Sequence, residues 1–119
     1  MTTSELQATV REREGVAVID LAGDLNSSAE DALSEAYAQA TGSGADSVVL
    51  NFERAEYINS TGIALIVGLL AQARANRVDV KAFGLSDHYR EIFEITRLAD
   101  FMTIADDEQR AISGAEGRQ

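Results

Sequence analysis

The 119-residue sequence predicts an α/β fold, a mostly parallel central sheet with helices packed against it. Three observations carry that expectation. Segments of strand character alternate with segments of helical spacing along the whole chain. Residues 48–52 form an apolar run rich in β-branched residues and broken only by Asn51, as suits a strand covered on both faces. Residues 63–73 are almost entirely apolar over a span too long for one strand, which predicts a helix buried on most of its circumference.

Each element has its own signal. Residues 6–10 alternate apolar and polar, residues 11–15 read as a charged turn ending in Gly15, and residues 16–21 are apolar again, so a hairpin opens the chain. Gly23 closes that second strand, and a loop through Asn26, Ser27 and Ser28 supplies capping residues. In residues 29–40, Leu33 and Tyr37 lie four apart among alanines, the narrow stripe of an amphipathic helix that stops at Gly42 and Gly44. The strand at residues 47–52 leads through a charged connection, residues 53–56, to the apolar helix. Gly62 and Gly68 weaken that helix by roughly 1 kcal/mol each relative to Ala, which predicts a close backbone neighbour there. Residues 78–83 alternate as a strand, and a second amphipathic helix centres on Ile92, Phe93, Ile95 and Thr96. Residues 97–100 break it, residues 101–104 form a short strand, and residues 106–112 a last helix that frays over 113–119. The predicted order is β-β-α-β-α-β-α-β-α in one domain over residues 1–119, with its core at about 6–112 and one antiparallel strand contributed by the hairpin.

Composition narrows the function. The chain has no Cys, no Trp, no Pro and one His, so disulfides, thiolate zinc sites, thiol nucleophiles and His-rich metal centres are excluded. Ten basic residues against 20 acidic ones give a net charge of -10, which argues against binding a phosphate backbone. No apolar run reaches the roughly 18 residues of a membrane span, and the polar N-terminal segment is neither a signal nor a transit peptide, so a cytoplasmic protein is expected. The acid is uneven: residues 1–60 hold three basic residues against 11 acidic. That excess predicts a partner with a basic docking face and an encounter that weakens with salt.

The chemistry-bearing segment is Tyr57-Ile58-Asn59-Ser60-Thr61-Gly62, a strand-to-helix loop directly before the most apolar helix. Ser60 or Thr61 is the expected N-cap. A hydroxyl there also sits in the positive field of a helix N-terminus, where a phosphate would meet unpaired amides without melting the helix. Apolar side chains near the helix start, Ile63, Leu65 and Ile66, cannot all face one sheet; either neighbouring helices cover the remainder or it forms a docking patch.

Together with Leu21-Ala22-Gly23-Asp24-Leu25-Asn26, Phe83-Gly84-Leu85 and Ile92-Phe93-Glu94-Ile95-Thr96-Arg97-Leu98, this segment resembles the STAS domain of bacterial anti-sigma factor antagonists. The resemblance covers roughly residues 6–112. It implies a binding module with no cofactor, no metal and no catalysis of its own. Such a module would sequester an anti-sigma factor, itself often a serine/threonine kinase of the histidine-kinase-like ATPase type, and so release a sigma factor. The kinase would phosphorylate Ser60, with Thr61 as second acceptor, and a serine phosphatase would reset it. Asn26, Asn59, Ser60, Thr61, Gly62 and Ile63 are then the expected partner-binding residues, in a monomer or weak dimer that touches neither nucleic acid nor membrane. Two positions depart from the family pattern: Asn26 and Asn59 stand where Asp is common. The alternative those departures leave open is a non-switching STAS interaction or scaffold domain in a stress-signalling complex.

Other residues carry less. His88, lone and near a helix start, reads as a surface or capping residue. Asp106-Asp107-Glu108 lacks the spacing and glycine of a calcium loop and reads as acids complementing a helix dipole. Arg11-Glu12-Arg13-Glu14 reads as a solvated turn. Glycine-rich dinucleotide and P-loop motifs are absent from the sequence, and Ser60 has no His base in its sequence context, so an enzyme is not expected.

Overall fold

In the computed structural model, which describes residues 5–42 and 44–116, a five-stranded mixed sheet runs in simple sequential order. The strands are β1 (Gln7–Arg13), β2 (Val16–Leu25), β3 (Ser47–Ile58), β4 (Asp79–Phe83) and β5 (Thr103–Ile104); the helices are α1 (Glu30–Gly42), α2 (Ser60–Ala75), α3 (Asp87–Ile95) and α4 (Glu108–Glu116). β1 pairs antiparallel with β2, and every later pairing is parallel. The chain therefore folds as a single α/β domain with the expected element order.

The side-chain alternation of the strands divides the core in two. On one face, Ile19, Leu21, Val48, Leu50 and Phe52 pack with Leu33 and Tyr37 of α1, Ile66 and Leu69 of α2 and Phe93 of α3. On the other, Val16, Val18, Val49 and Phe83 meet, among the described residues, Ala111 and Ile112 of α4, with Ala105 at their margin. Val18 and Ile19 are both fully buried, on opposite faces, which is why the central strands read as continuous apolar runs.

Several boundaries differ from expectation; β5, for one, is only Thr103 and Ile104, because Phe101 closes the 3-10 turn Leu98–Asp100. The hairpin turn is only Glu14 and Gly15, both at positive φ (54° and 82°), so Arg11 and Arg13 lie in a strand and not in a solvated turn. Gly23 does not end β2. Its φ of 110° accommodates a break in register beside Asp24, and pairing resumes to Leu25. The supposed connection at 53–56 is likewise strand: β3 runs on to Ile58, paired with β2 alone because β4 stops opposite Asn51. With one edge open to water, that stretch carries charge without leaving the sheet. At the other end of the chain, α4 continues past Ile112 to Glu116, and the rest of the expected frayed tail lies outside the described residues.

The shared face of α4 is held by ions. Arg11 donates to both Glu108 carboxylate oxygens (2.9 and 2.8 Å) and to Asp20 (2.7 and 3.0 Å). Arg13 donates to Glu108 at 2.6 Å, and Asn51 Nδ2 donates to Asp20 at 2.8 Å. The hydrogen bond from Arg11, with that from Arg13 beside it, holds the Glu108 carboxyl down at about 2 against burial, and the same Arg11 lowers that of Asp20.

Because the folded state keeps Glu108 ionised below its ordinary 4.5, its contribution is complete above that pH and is lost as pH falls toward about 2. Arg11 is 40% exposed, so screening leaves that contribution on the order of 1 kcal/mol. Urea titrations of Glu108→Gln should show a loss of that size at neutral pH that shrinks progressively between pH 4.5 and about 2; an undiminished loss at the acid end would contradict the clamp.

Candidate functional site

β2 and β3 end side by side, with Leu25 registered against Ile58, so the loops that follow, at Asn26 and Asn59, meet at one end of the sheet. The Asn59 N–H donates to the Leu25 carbonyl at 3.2 Å, tying the two loops together. Beyond Asn59 the chain turns into α2 so tightly that a Cβ on Gly62 would lie 2.1 Å from the Leu25 oxygen. Only glycine permits this approach. Gly68 is the opposite case: nothing lies within 4 Å of where its Cβ would be, and it is exposed, so the expected close neighbour exists at Gly62 alone.

The helix cap corrects the sequence reading. Neither Ser60 nor Thr61 is the N-cap; Asn59 is, its Oδ1 accepting from the Gly62 N–H at 2.8 Å. The first helical bond, from Ile63 N–H to the Asn59 carbonyl at 2.9 Å, leaves Ser60 and Thr61 in the opening turn. Both are exposed, and among the described residues neither hydroxyl makes a hydrogen bond. Asn26 performs the matching task in its own loop, accepting from Ser28 N–H (3.0 Å) and Ser28 Oγ (2.6 Å) and capping the 3-10 turn Ser27–Ala29. The two asparagines thus supply the acceptor oxygens that a carboxylate would supply, without its charge.

Of the six expected partner-binding residues, the structure gathers all six at this end but exposes only Ser60 and Thr61 fully. Asn26, Asn59 and Ile63 are half-buried and Gly62 is buried. Tyr89 of α3 braces the same end, its hydroxyl accepting from the Ile58 N–H at 3.0 Å. Acids collect around it: Asp24 on β2, Glu30 and Asp31 in the first turn of α1, Glu56 on β3, and Asp87 in the first turn of α3. No acid occupies the first turn of α2 itself.

α2 is less buried than its composition suggests. Ile66, Leu69, Leu70 and Ala73 are buried, but Ala64, Val67, Gly68 and Ala71 face water, with Val67 47% exposed. The apolar remainder is therefore uncovered, and it begins one turn beyond Ser60. The sequence signal for it was residue size: Ala64, Gly68 and Ala71 recur at helical spacing, and nothing lies within 4 Å of where a Cβ on Gly68 would be. His88 is exposed, edge-on to Tyr89 at 5.0 Å. Asp107 caps α4 by accepting from Arg110 N–H at 2.8 Å, while Asp106 pairs with Arg90 and Arg110 at 3.3 Å. Among the described residues no three His, Cys, Asp or Glu side chains converge to hold a metal.

Two paired substitutions separate these roles. Asn59→Ala should cost about 1 kcal/mol through the lost cap, whereas Ser60→Ala should stay within about 0.5 kcal/mol. Gly62→Ala should destabilise by about 2 kcal/mol or more through backbone overlap, whereas Gly68→Ala should stabilise by about 0.5–1 kcal/mol. Denaturant melts of the four variants read both contrasts, and a Ser60→Ala loss equal to that of Asn59→Ala would reassign the cap.

Comparison with known proteins fits this geometry. The STAS domain model matches residues 7–111. An anti-sigma-B factor antagonist of Staphylococcus aureus is 36% identical over 61 residues, which are 51% of this chain and 56% of that protein; the match thus spans little more than half of that relative's length. BtrV of Bordetella bronchiseptica, described as a candidate anti-sigma factor antagonist, is 26% identical over 89% of this chain and 91% of its own. The solved structure of the Bacillus cell fate determinant SpoIIAA in its phosphorylated form superposes with a TM-score of 0.67 at 25% identity, covering 89% of this chain and 96% of that one. Among the described residues no helix is long and apolar enough to cross a membrane. With the family model spanning nearly the whole sequence and the expected element order in place, the chain belongs to the STAS domain family.

Proposed function

We propose that this protein is an anti-sigma factor antagonist, a cytoplasmic binding module without catalysis of its own, switched by phosphorylation of Ser60. In this reading the unmodified form docks the acidic end of the sheet and the start of α2 on an anti-sigma factor, which is also its serine/threonine kinase, and so frees a sigma factor. A serine phosphatase reverses the modification.

The observation that carries it is the free, exposed Ser60 hydroxyl in the first turn of a helix already capped by its neighbour Asn59. A group transferred to that oxygen disturbs no existing bond. Phosphate would add about -1.5 to -2 charge, and the helix N-terminus would accept it without unwinding. At the interface the effect reverses: a dianion enclosed between two proteins must shed water, and it lies one turn from the uncovered apolar side chain of Ala64. Docking is favoured before modification and opposed after it. The relatives' names support the same reading: one is an anti-sigma-B factor antagonist, and SpoIIAA has been solved phosphorylated. Asn26 and Asn59 do not count against it, because both serve here as acceptors inside their own loops.

Incubation with ATP and the cognate kinase should add one phosphate by intact mass in wild type and Thr61→Ala and none in Ser60→Ala. Ser60→Asp should weaken binding to the anti-sigma factor at least about tenfold, equivalent to 1.4 kcal/mol. Phosphate retained by Ser60→Ala, or binding indifferent to Ser60→Asp, would overturn the switch.

A further inference from the structure

At its far end α2 borders a second surface of different chemistry. A groove of about 260 Å³ lies between α2 and the segment that follows α3, floored by Val67, Leu70, Ala71, Leu98 and Phe101. Phe101 is 56% exposed and Val67 47%. The rim carries one unpaired cation: Arg74 sits over the Phe101 ring at 5.7 Å, while Arg97 opposite is paired with Asp100 at 2.6 Å.

In a chain of net charge -10 this is unusual. Six of the nine described basic residues are spent in ion pairs, and Arg54, Arg74 and Arg77 are left without one. Two of those three stand at the end of α2. Dipole complementarity explains cations there, but not why one of them sits over a solvent-facing phenyl ring. The wall is also strained. Arg97 ends α3 at φ 70°, in the left-handed region where glycine is usual, and its guanidinium is fixed by Asp100 at 2.6 Å.

We propose that this groove is a second docking site, occupied by an amphipathic segment of a partner protein that inserts a bulky apolar side chain and places a carboxylate on Arg74. The volume suits a side-chain anchor better than a metabolite, being below the roughly 300–1,000 Å³ of small-molecule pockets. The unpaired Arg74 selects a segment carrying a carboxylate, opposite to the partner face selected at the Ser60 end. At about 1.5 Å per residue, Arg74 lies roughly 21 Å from Ser60 along the helix axis and Val67, the nearest lining residue of α2, roughly 10 Å, so the charged anchor of the groove is well removed from Ser60. The inference rests on the protein being a binding module, but not on its being phosphorylated.

The test is titration of the isotope-labelled full chain with two synthetic helix-forming peptides. One carries Leu and Phe a turn apart with flanking Glu; the other has Lys in place of Glu. The acidic peptide should shift the amides of Val67, Ala71 and Phe101 saturably and bind at least about tenfold tighter than the basic one. Arg74→Glu should invert that preference, and Ser60→Asp should leave it unchanged. Equal binding of the two peptides, shifts elsewhere, no saturation by millimolar peptide, or self-association through these residues in the absence of peptide would each overturn the proposal. Phe101→Ala, at an exposed position, supplies a second variant that should abolish binding while leaving the melt intact. If Ser60 takes no phosphate yet the acidic peptide binds, only the switch fails; if Ser60→Asp abolishes peptide binding, the second site is not independent and fails.

Discussion

The contact on which the candidate site depends is the approach of Gly62 to the Leu25 carbonyl. It brings α2 down onto the end of β2, and with the Asn59 N–H bonded to the same carbonyl it fixes the direction in which the helix leaves the sheet. Everything functional on α2 inherits that direction. The first turn points its hydroxyls to water, the middle buries Ile66, Leu69 and Leu70, and the remaining face carries Ala64, Val67 and Ala71 outward. A side chain at position 62 would push the helix off its neighbour and lose both the site and part of the core.

The same helix separates two electrostatic environments. Its N-terminal end is ringed by acids from β2, β3, α1 and α3, while its C-terminal end holds the unpaired Arg74 and, just beyond, Arg77, with Asp79 and Asp100 near by, each already paired with a cation of its own. Most other arginines are committed to holding the fold: Arg11 and Arg13 fasten α4 over the face where Val18, Val49 and Phe83 would otherwise meet water. Net charge alone describes a uniformly acidic protein; the distribution describes one helix with opposite preferences at its two ends.

How far the sequence was legible follows from which forces acted locally. The order of elements was readable because strand and helix periods are set by burial on one or two faces, and residues 48–52 and 63–73 state theirs plainly. The extents of β2 and β3 were not, since Gly23 and the charged residues 53–56 look like breaks until partners across the sheet are known. Arg11 and Arg13 read as turn residues for the same reason: their partner, Glu108, lies nearly a hundred positions away. At the site, the loop and its residues were visible, but the cap was assigned to the wrong side chain. Asn, Ser and Thr are all good caps, and only the geometry of the turn after Ile58 decides among them.

That reassignment changes what a modification at Ser60 can do. Had Ser60 been the cap, a phosphate would have taken away the acceptor that closes the first turn, and part of its effect would have been to loosen α2. With Asn59 holding the Gly62 N–H, the first turn stays closed whatever happens at Ser60, and Gly62 stays seated against Leu25. The consequence of phosphorylation is then confined to charge and hydration at the surface. On the proposed switch no bond of α2 has to break, so the groove beside Arg74 would keep its shape in both states. A partner held there would remain bound while the Ser60 end releases its own, which is the behaviour required of a module that stays attached to one protein while switching its contact with another.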